Sequence, residues 1–345
     1  ESTVPANKLK FVSLVLDEEP LFSSSLLKFL TWAADYYHHP IGDVVKTALP
    51  RALRGLRNIR PRLPIRYTLT PAGRVALDSL SKRASVQRDL LQALEKAGSE
   101  GLAHGYLLRR LKRSGTAVKR LRERGWIDSH QFTADFLIVA EDKARSVLNE
   151  SQSRAVKAIR AAGFGYTPFL LHGVTGSGKT EVYLHSAAEI VASGRQVMVL
   201  VPEIALTPQL VARFRDGIKG TLAVLHSSLS EQERHIAWWA ARQGLADVVI
   251  GTRSAVFTPL ARPGLYIVDE EHDSSYKQQG GFRYHARDLV VKRAHQEGVP
   301  VVLGSATPAL ESMENLHQGR YRHLPLPQRA GAAAMPIFRL LDLSR

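Results

Sequence analysis

The sequence predicts an α/β chain: a parallel sheet covered by helices on both faces, preceded by a small winged-helix module and a short N-terminal module. Three observations predict it. Residues 145 to 330 alternate apolar runs with helical segments, a glycine-rich turn at 173–180 joins one such run to a helix, and residues 85–130 carry three short helical periodicities ahead of a strand-like pair. Continuous apolar strands separated by helices mean a sheet buried on both faces, since a sheet with one wet face would alternate. The runs are Phe169–His172, Val197–Val201, Ala223–His226, Val248–Gly251, Leu265–Asp269 and Val301–Gly304.

At 345 residues and 44% hydrophobic content, the chain has material for two or three cored domains. There is no cysteine, which excludes disulfides and thiolate metal sites within these residues. No apolar run reaches membrane-spanning length and no secretory pattern opens the chain, so a cytoplasmic protein without membrane attachment is expected. The chain opens on Glu1 rather than methionine, and we read it as a piece of something longer. The net charge of +15 is concentrated: Arg51 to Gly125 holds nineteen Lys/Arg against five Asp/Glu. Such a block attracts a polyanion, nucleic acid first and an acidic membrane surface second, unless it is simply a solvated basic face.

In order along the chain, residues 1–55 form a partial module: a strand-like Leu9–Leu16, a helix over Leu26–Tyr37 and a second helix ending near Leu53. Trp32, Tyr36, Tyr37, His38 and His39 cluster at the joint. Without a third ligand at useful spacing, the histidine pair reads as packing or capping rather than metal binding. Residues 56–83, with Pro61, Pro64 and Pro71 among arginines, read as a basic linker holding an extended piece at Ile65–Leu69. The winged-helix domain is expected over 84–140: Val86, Leu90, Leu91 and Leu94, then Leu102, Leu107, Leu108 and Leu111, then Val118 and Leu121 mark three helices, the last stopping at Gly125 before Trp126-Ile127. Its third helix would turn Lys119, Arg120, Arg122 and Arg124 toward DNA; a helical bundle for protein contact has the same pattern. Residues 141–345 form the α/β lobe.

The strongest chemical signal is Gly173-Val174-Thr175-Gly176-Ser177-Gly178-Lys179-Thr180, a complete P-loop between a strand and a helix. Dense phosphate charge requires backbone N–H groups close in, hence the glycines, and a helix N-terminus behind them. Lys179 reaches the β and γ phosphates of ATP and Thr180 ligates magnesium. A partner carboxylate must end a neighbouring strand, and Leu265-Tyr266-Ile267-Val268-Asp269-Glu270-Glu271-His272 supplies it: Asp269 for the metal, Glu270 for the attacking water.

Asp269 to His272, with Gly304-Ser305-Ala306-Thr307-Pro308 after a later strand, resembles the superfamily 2 helicases, whose ATP-binding lobe is RecA-like. Val201-Pro202-Glu203-Ile204-Ala205-Leu206-Thr207-Pro208-Gln209, Gly251-Thr252-Arg253-Ser254-Ala255, and Asp273 to Gln279 with Arg283 to Asp288 are similar to the bacterial primosomal helicases of replication restart. Ala33 to Asp43 resembles the same family, whereas residues 56–140 resemble it only weakly.

The resemblance implies an ATP-dependent 3′ to 5′ DNA helicase that assembles primosomes at stalled forks, with residues 1–55 as part of an N-terminal DNA-binding domain. It implies that Leu148-Asn149 and Gln152 contact adenine, that Thr207 and Arg253 grip a single strand, and that His272, Ser305 and Thr307 couple the two sites. The loop after Glu270, with Tyr276, Lys277, Phe282, Arg283 and Tyr284, offers aromatic faces for bases and cations for phosphates; it could also fold over its own core. As partners the resemblance implies forked and single-stranded DNA, PriB, DnaT and single-strand binding protein, met by a monomer. It further implies zinc, for which this chain has no cysteine ligands, and an arginine finger on a second lobe. These residues alone are therefore expected to bind nucleotide and DNA, turn over slowly and not unwind. The alternative is a nucleotide-switched DNA-binding regulator; a P-loop transporter or kinase has less use for the strand-gripping segments.

Overall fold

The computed structural model describes residues 20–55, 61, 65–80, 85–98, 101–103, 107, 114–131, 137–139, 146–163 and 165–329. The expected strand over Leu9–Leu16 lies outside them. The chain forms two compact units, one of Glu1–Arg60 with Leu137–Arg345 and one of Pro61–Phe136.

In the first unit, α1 (Ser24–Tyr36) starts where the Ser23 side chain accepts from the Leu26 N–H, and it buries Leu26, Phe29, Leu30, Ala33 and Ala34. The second expected helix is shorter than the sequence suggested: α2 (Ile41–Ala48) stops before Pro50, and Arg51–Leu53 make a single 3₁₀ turn. Two short helices cannot bury an apolar face alone. They complete it on the lobe, with Phe29 against Phe257 at 6.3 Å and the Tyr37 hydroxyl accepting from the His285 N–H at 3.1 Å. His39 stacks on Phe282 at 5.3 Å, a packing role.

The second unit contains β1 (Ile65–Leu69), α3 (Pro71–Ser79), α4 (Ser85–Ala97), β2 (Leu102–Ala103), α5 (Ser114–Glu123) and β3 (Ile127–Gln131), with an antiparallel sheet in the order β2-β1-β3. Tyr67, Leu90, Leu91, Leu94, Leu107, Val118, Leu121 and Ile127 share its core. The expectation of a linker over 56–83 is corrected: β1 and α3 belong to this unit. Pro71 opens a helix rather than breaking one, because Thr70 caps it and proline at the first position loses no hydrogen bond. Leu102, expected in the second helix, lies in β2; Leu108 and Leu111 lie outside the described residues. Lys119, Arg120 and Arg122 are exposed on α5.

The lobe adds β4 (Leu137–Val139), α6 (Glu150–Ala161), β5 (Pro168–Gly173), α7 (Lys179–Ala192), β6 (Gln196–Leu200), α8 (Pro208–Gly217), β7 (Thr221–Leu225), α9 (Glu231–Arg242), β8 (Val248–Gly251), β9 (Pro263–Val268), α10 (Ala286–Glu297), β10 (Val301–Ser305), α11 (Leu310–His317) and β11 (Arg322–Leu326). The sheet runs β11-β5-β10-β9-β6-β8-β7-β4, parallel throughout except β4. All six expected strands are present. β5, β9 and β10 lie side by side, so their C-terminal ends bring Lys179, Asp269 and Ser305 to one edge, where ligands of open α/β sheets bind.

Candidate ATP and strand-binding sites

The P-loop geometry follows from its glycines. Gly176 and Gly178 have φ of +79° and +81°, and Gly178 is the residue before the first turn of α7. A Cβ on Gly173 would sit 2.4 Å from Ser177 Oγ, so only glycine allows the loop to close. Lys179 is 8% exposed; its Nζ donates to the Gly173 carbonyl at 3.2 Å and lies 3.3 Å from Glu270 Oε1. Ser177 Oγ is buried without a hydrogen-bond partner among the described residues, unusual unless the loop is shaped for an external group. The oxygens at hand, the Thr180 hydroxyl and the Asp269 carboxylate, are the hard donors magnesium takes, and one or two protein ligands are its usual share.

Asp269 is held from two sides. The Tyr183 hydroxyl donates to its Oδ1 at 2.9 Å, and the Tyr276 hydroxyl donates to its carbonyl at 2.7 Å. Burial, and next the Asp269 charge, push the Tyr183 phenol well above its ordinary value, keeping it a donor. Burial raises Asp269 as well, against the pull of that hydrogen bond. Glu270 has φ of +43°, a left-handed conformation rare for a non-glycine residue and enforced here by Glu271 N–H donating to Gly304 O at 3.0 Å and Asp273 N–H donating to Glu270 O at 2.8 Å.

Glu271 is fully buried, accepting from Arg287 at 3.0 Å, from the Ser312 hydroxyl at 2.9 Å and from the Ala309 N–H at 2.7 Å. His272 Nδ1 lies 2.7 Å from Ser305 Oγ and 3.7 Å from Glu270 Oε2; its Nε2 lies 3.3 Å from Thr307 Oγ1. The three residues singled out for coupling thus form one chain beginning at Glu270.

Three further predicted site residues, Gln152, Thr207 and Arg253, are hydrogen-bonded within the protein. Both ends of the Gln152 amide are engaged within the protein: Oε1 accepts from the Asn149 N–H and Nε2 donates to Ser177 O, each at 2.9 Å. Through these bonds Gln152 braces the back of the P-loop. Thr207 caps α8, its hydroxyl accepting from the Leu210 N–H at 3.2 Å. The Arg253 guanidinium donates to the carbonyls of Ser275 at 2.8 Å and Lys277 at 3.2 Å, tying down the loop after Glu270.

The proposal that this loop offers aromatic faces to bases is corrected. Tyr276, Phe282 and Tyr284 are at most 4% exposed: Phe282 packs against Tyr37 and Tyr284 against Phe257, while the Tyr276 hydroxyl is spent on the Asp269 carbonyl. Arg283 remains exposed, whereas Lys277 Nζ donates to the Arg283 carbonyl at 2.9 Å. Beside the loop a groove of about 480 Å³ runs past Glu203, His226, Thr252, Arg253 and Gly281. Sequence reasoning missed Tyr183, the supporting role of Glu271 and the His226 turn; Glu271 sits inside the quoted Asp269–His272 motif and the turn puts polar residues at the end of an apolar strand on the same sheet edge, whereas Tyr183 carried no signal.

The site and fold define the class first: residues 149–316 match the DEAD/DEAH box helicase family, and residues 1–50 match the PriA 3′DNA-binding domain. The replication restart protein PriA of Haemophilus influenzae is 40% identical over 353 residues, 99% of this chain and 47% of the relative. Those of Bacillus subtilis and Treponema pallidum are 38% and 45% identical over 77% and 57% of this chain, covering 34% and 30% of their own lengths. The chain belongs to the PriA family, and it spans between about a third and a half of the relatives it matches. RecG bound to a three-way DNA junction, a solved structure, matches 75% of this chain and 36% of its own at 20% identity, with a TM-score of 0.43.

Proposed function

We propose that the chain carries the first motor lobe and the DNA-binding front half of an ATP-driven 3′ to 5′ DNA helicase acting in replication restart at stalled forks. One observation carries the reading: buried Lys179 stands 3.3 Å from Glu270, at the head of the chain through His272 to Ser305 and Thr307. The residues Gly173 to Thr180 hold the triphosphate of ATP through backbone N–H groups and Lys179, with Gln152 bracing the loop. Thr180 and Asp269 hold magnesium, which neutralises phosphate charge when bound. Glu270 orients the attacking water, its backbone strain fixing the carboxylate between Lys179 and His272. His272, Ser305 and Thr307 report the state of that site to the strand groove.

On the DNA side, Thr207, Arg253 and the cations Lys277 and Arg283 meet strand phosphates, while Tyr276, Phe282 and Tyr284 hold the loop from within. Lys119, Arg120 and Arg122 meet duplex or fork backbone. The relatives' name, replication restart protein, supports the setting; in it we expect a cytoplasmic monomer with PriB, DnaT and single-strand binding protein as partners. These 345 residues alone bind nucleotide and DNA, hydrolyse slowly and do not unwind. In the complete protein, Lys179→Ala should abolish unwinding of a labelled fork and leave DNA affinity in place. Unwinding that survives, or affinity that falls with it, contradicts the reading.

A further inference from the structure

A second cavity, of about 440 Å³, opens where the chain leaves α2 and crosses the lobe; it is lined by Arg51, Arg54, His226, Arg234, Trp238 and Ser254, among others. It shares Thr47, His226, Arg234 and Ser254 with the groove beside Arg253, so the two form one continuous channel across the sheet edge. Three arginines face it against one acid, Glu231, which pairs with Arg51 at 3.1 Å.

The remaining two guanidinium groups bond only to carbonyls in the described structure. Arg54 donates to Leu49 O at 3.1 and 2.9 Å, and Arg234 donates to Ser227 O at 3.2 Å and Leu229 O at 3.3 Å. The crowding shows in Arg54, lowered from its ordinary value by burial first and Arg51 second. A further donor is left over: Trp238 is 3% exposed, yet its indole N–H has no hydrogen-bond partner among the described residues. Uncompensated guanidinium charge beside an unmet buried donor calls for an anionic acceptor.

We infer that this cavity is a phosphate site for a single DNA strand, with Arg54 and Arg234 meeting one backbone phosphate beyond those met at Arg253, and Trp238 offering its N–H. The inference rests on the strand-binding reading of the neighbouring groove and extends it: the turn after α2 becomes a guide that keeps the strand on the lobe. A phosphodiester suits the site better than a free nucleotide, because the cavity opens along its length into the groove through the shared Thr47, His226, Arg234 and Ser254.

The test is fluorescence anisotropy of the full 345-residue chain with a labelled deoxythymidine oligonucleotide across a salt series. Arg54→Gln should weaken binding about 3- to 10-fold and lower the slope of log K against log salt by about 0.7, one single-strand phosphate, while Arg54→Lys keeps the slope. Trp238→Phe should weaken binding without moving the slope. On wild-type protein, oligonucleotides with one neutral methylphosphonate linkage walked along the strand should show a position whose loss vanishes in Arg54→Gln. Arg54→Lys, which keeps the charge at an exposed position and should keep the loss, controls for folding in that arm. An unchanged slope together with no such position overturns the inference while wild-type binding preserves the groove reading; no binding by wild type overturns both. Calorimetric uptake of inorganic phosphate abolished by Arg54→Gln, with the oligonucleotide slope unmoved, would assign the cavity to free phosphate instead.

Discussion

Gly304→Ala tests how the ATP site is held, because the structure leaves no room for one methyl group there. A Cβ at Gly304 would lie 1.6 Å from the Tyr183 hydroxyl oxygen and 2.8 Å from Cζ, and the hydroxyl cannot retreat without leaving Asp269, to which it donates at 2.9 Å. Overpacking a rigid core costs about 1–3 kcal/mol. Losing a hydrogen bond to a charged acceptor adds about 1.5–3 kcal/mol. Together these place the substitution at about 2.5–6 kcal/mol, at or above the top of the usual range of single changes.

Tyr183→Phe loses only the hydrogen bond, and in the double variant the worst clash disappears with the oxygen. The two effects should therefore be non-additive by at least about 1 kcal/mol. Urea unfolding followed by tryptophan fluorescence suits the assay, since Trp32, Trp238 and Trp239 share the unit that contains β10. A Gly304→Ala cost below about 0.5 kcal/mol, or additive single and double variants, would rule out close packing of Gly304 on the Tyr183 hydroxyl.

Two further outcomes follow from the same site. Asp269→Asn should stabilise the nucleotide-free chain at neutral pH, on the order of 1 kcal/mol, while destroying hydrolysis. The sign comes from burial raising the folded carboxyl above its unfolded value: its favourable contribution is present at low pH and lost as pH rises through the folded value, so the variant's advantage should vanish in acid. Thermal melts at neutral and acidic pH check it; a variant less stable at neutral pH contradicts it. Glu271→Ala strands the buried Arg287 and should cost about 3 kcal/mol, moderated by the Asp288 partner at 2.9 Å; urea unfolding reads it, and a change near zero contradicts the structural role.

The lobe was legible because its strands are buried on both faces and therefore written as continuous apolar runs, and because a P-loop has a fixed spacing. What escaped notice lacked that imprint. β11 (Arg322–Leu326) carries arginine, histidine and proline on a sheet edge, and β4 (Leu137–Val139) has three residues, too few for a period. The linker over 56–83 was misread because composition hid a capped helix behind Pro71.

At the site, residue types announced Lys179, Asp269, Glu270 and His272. Their supports did not show. Tyr183 is one tyrosine on an apolar helix, and its bond to Asp269 spans 86 positions. Tyr276, Phe282 and Tyr284 drew attention for the right chemistry with the wrong face: composition shows an aromatic ring, whereas only the packing with Phe257 and Tyr37 shows which way it turns.

Calorimetry of ATP with magnesium on the folded 345-residue chain reads out directly whether Gly173 to Thr180 hold a triphosphate. One-to-one binding is expected, lost in Lys179→Ala and much weaker without magnesium. Absence of heat from well-folded wild type, or equal heat from Lys179→Ala, would contradict it.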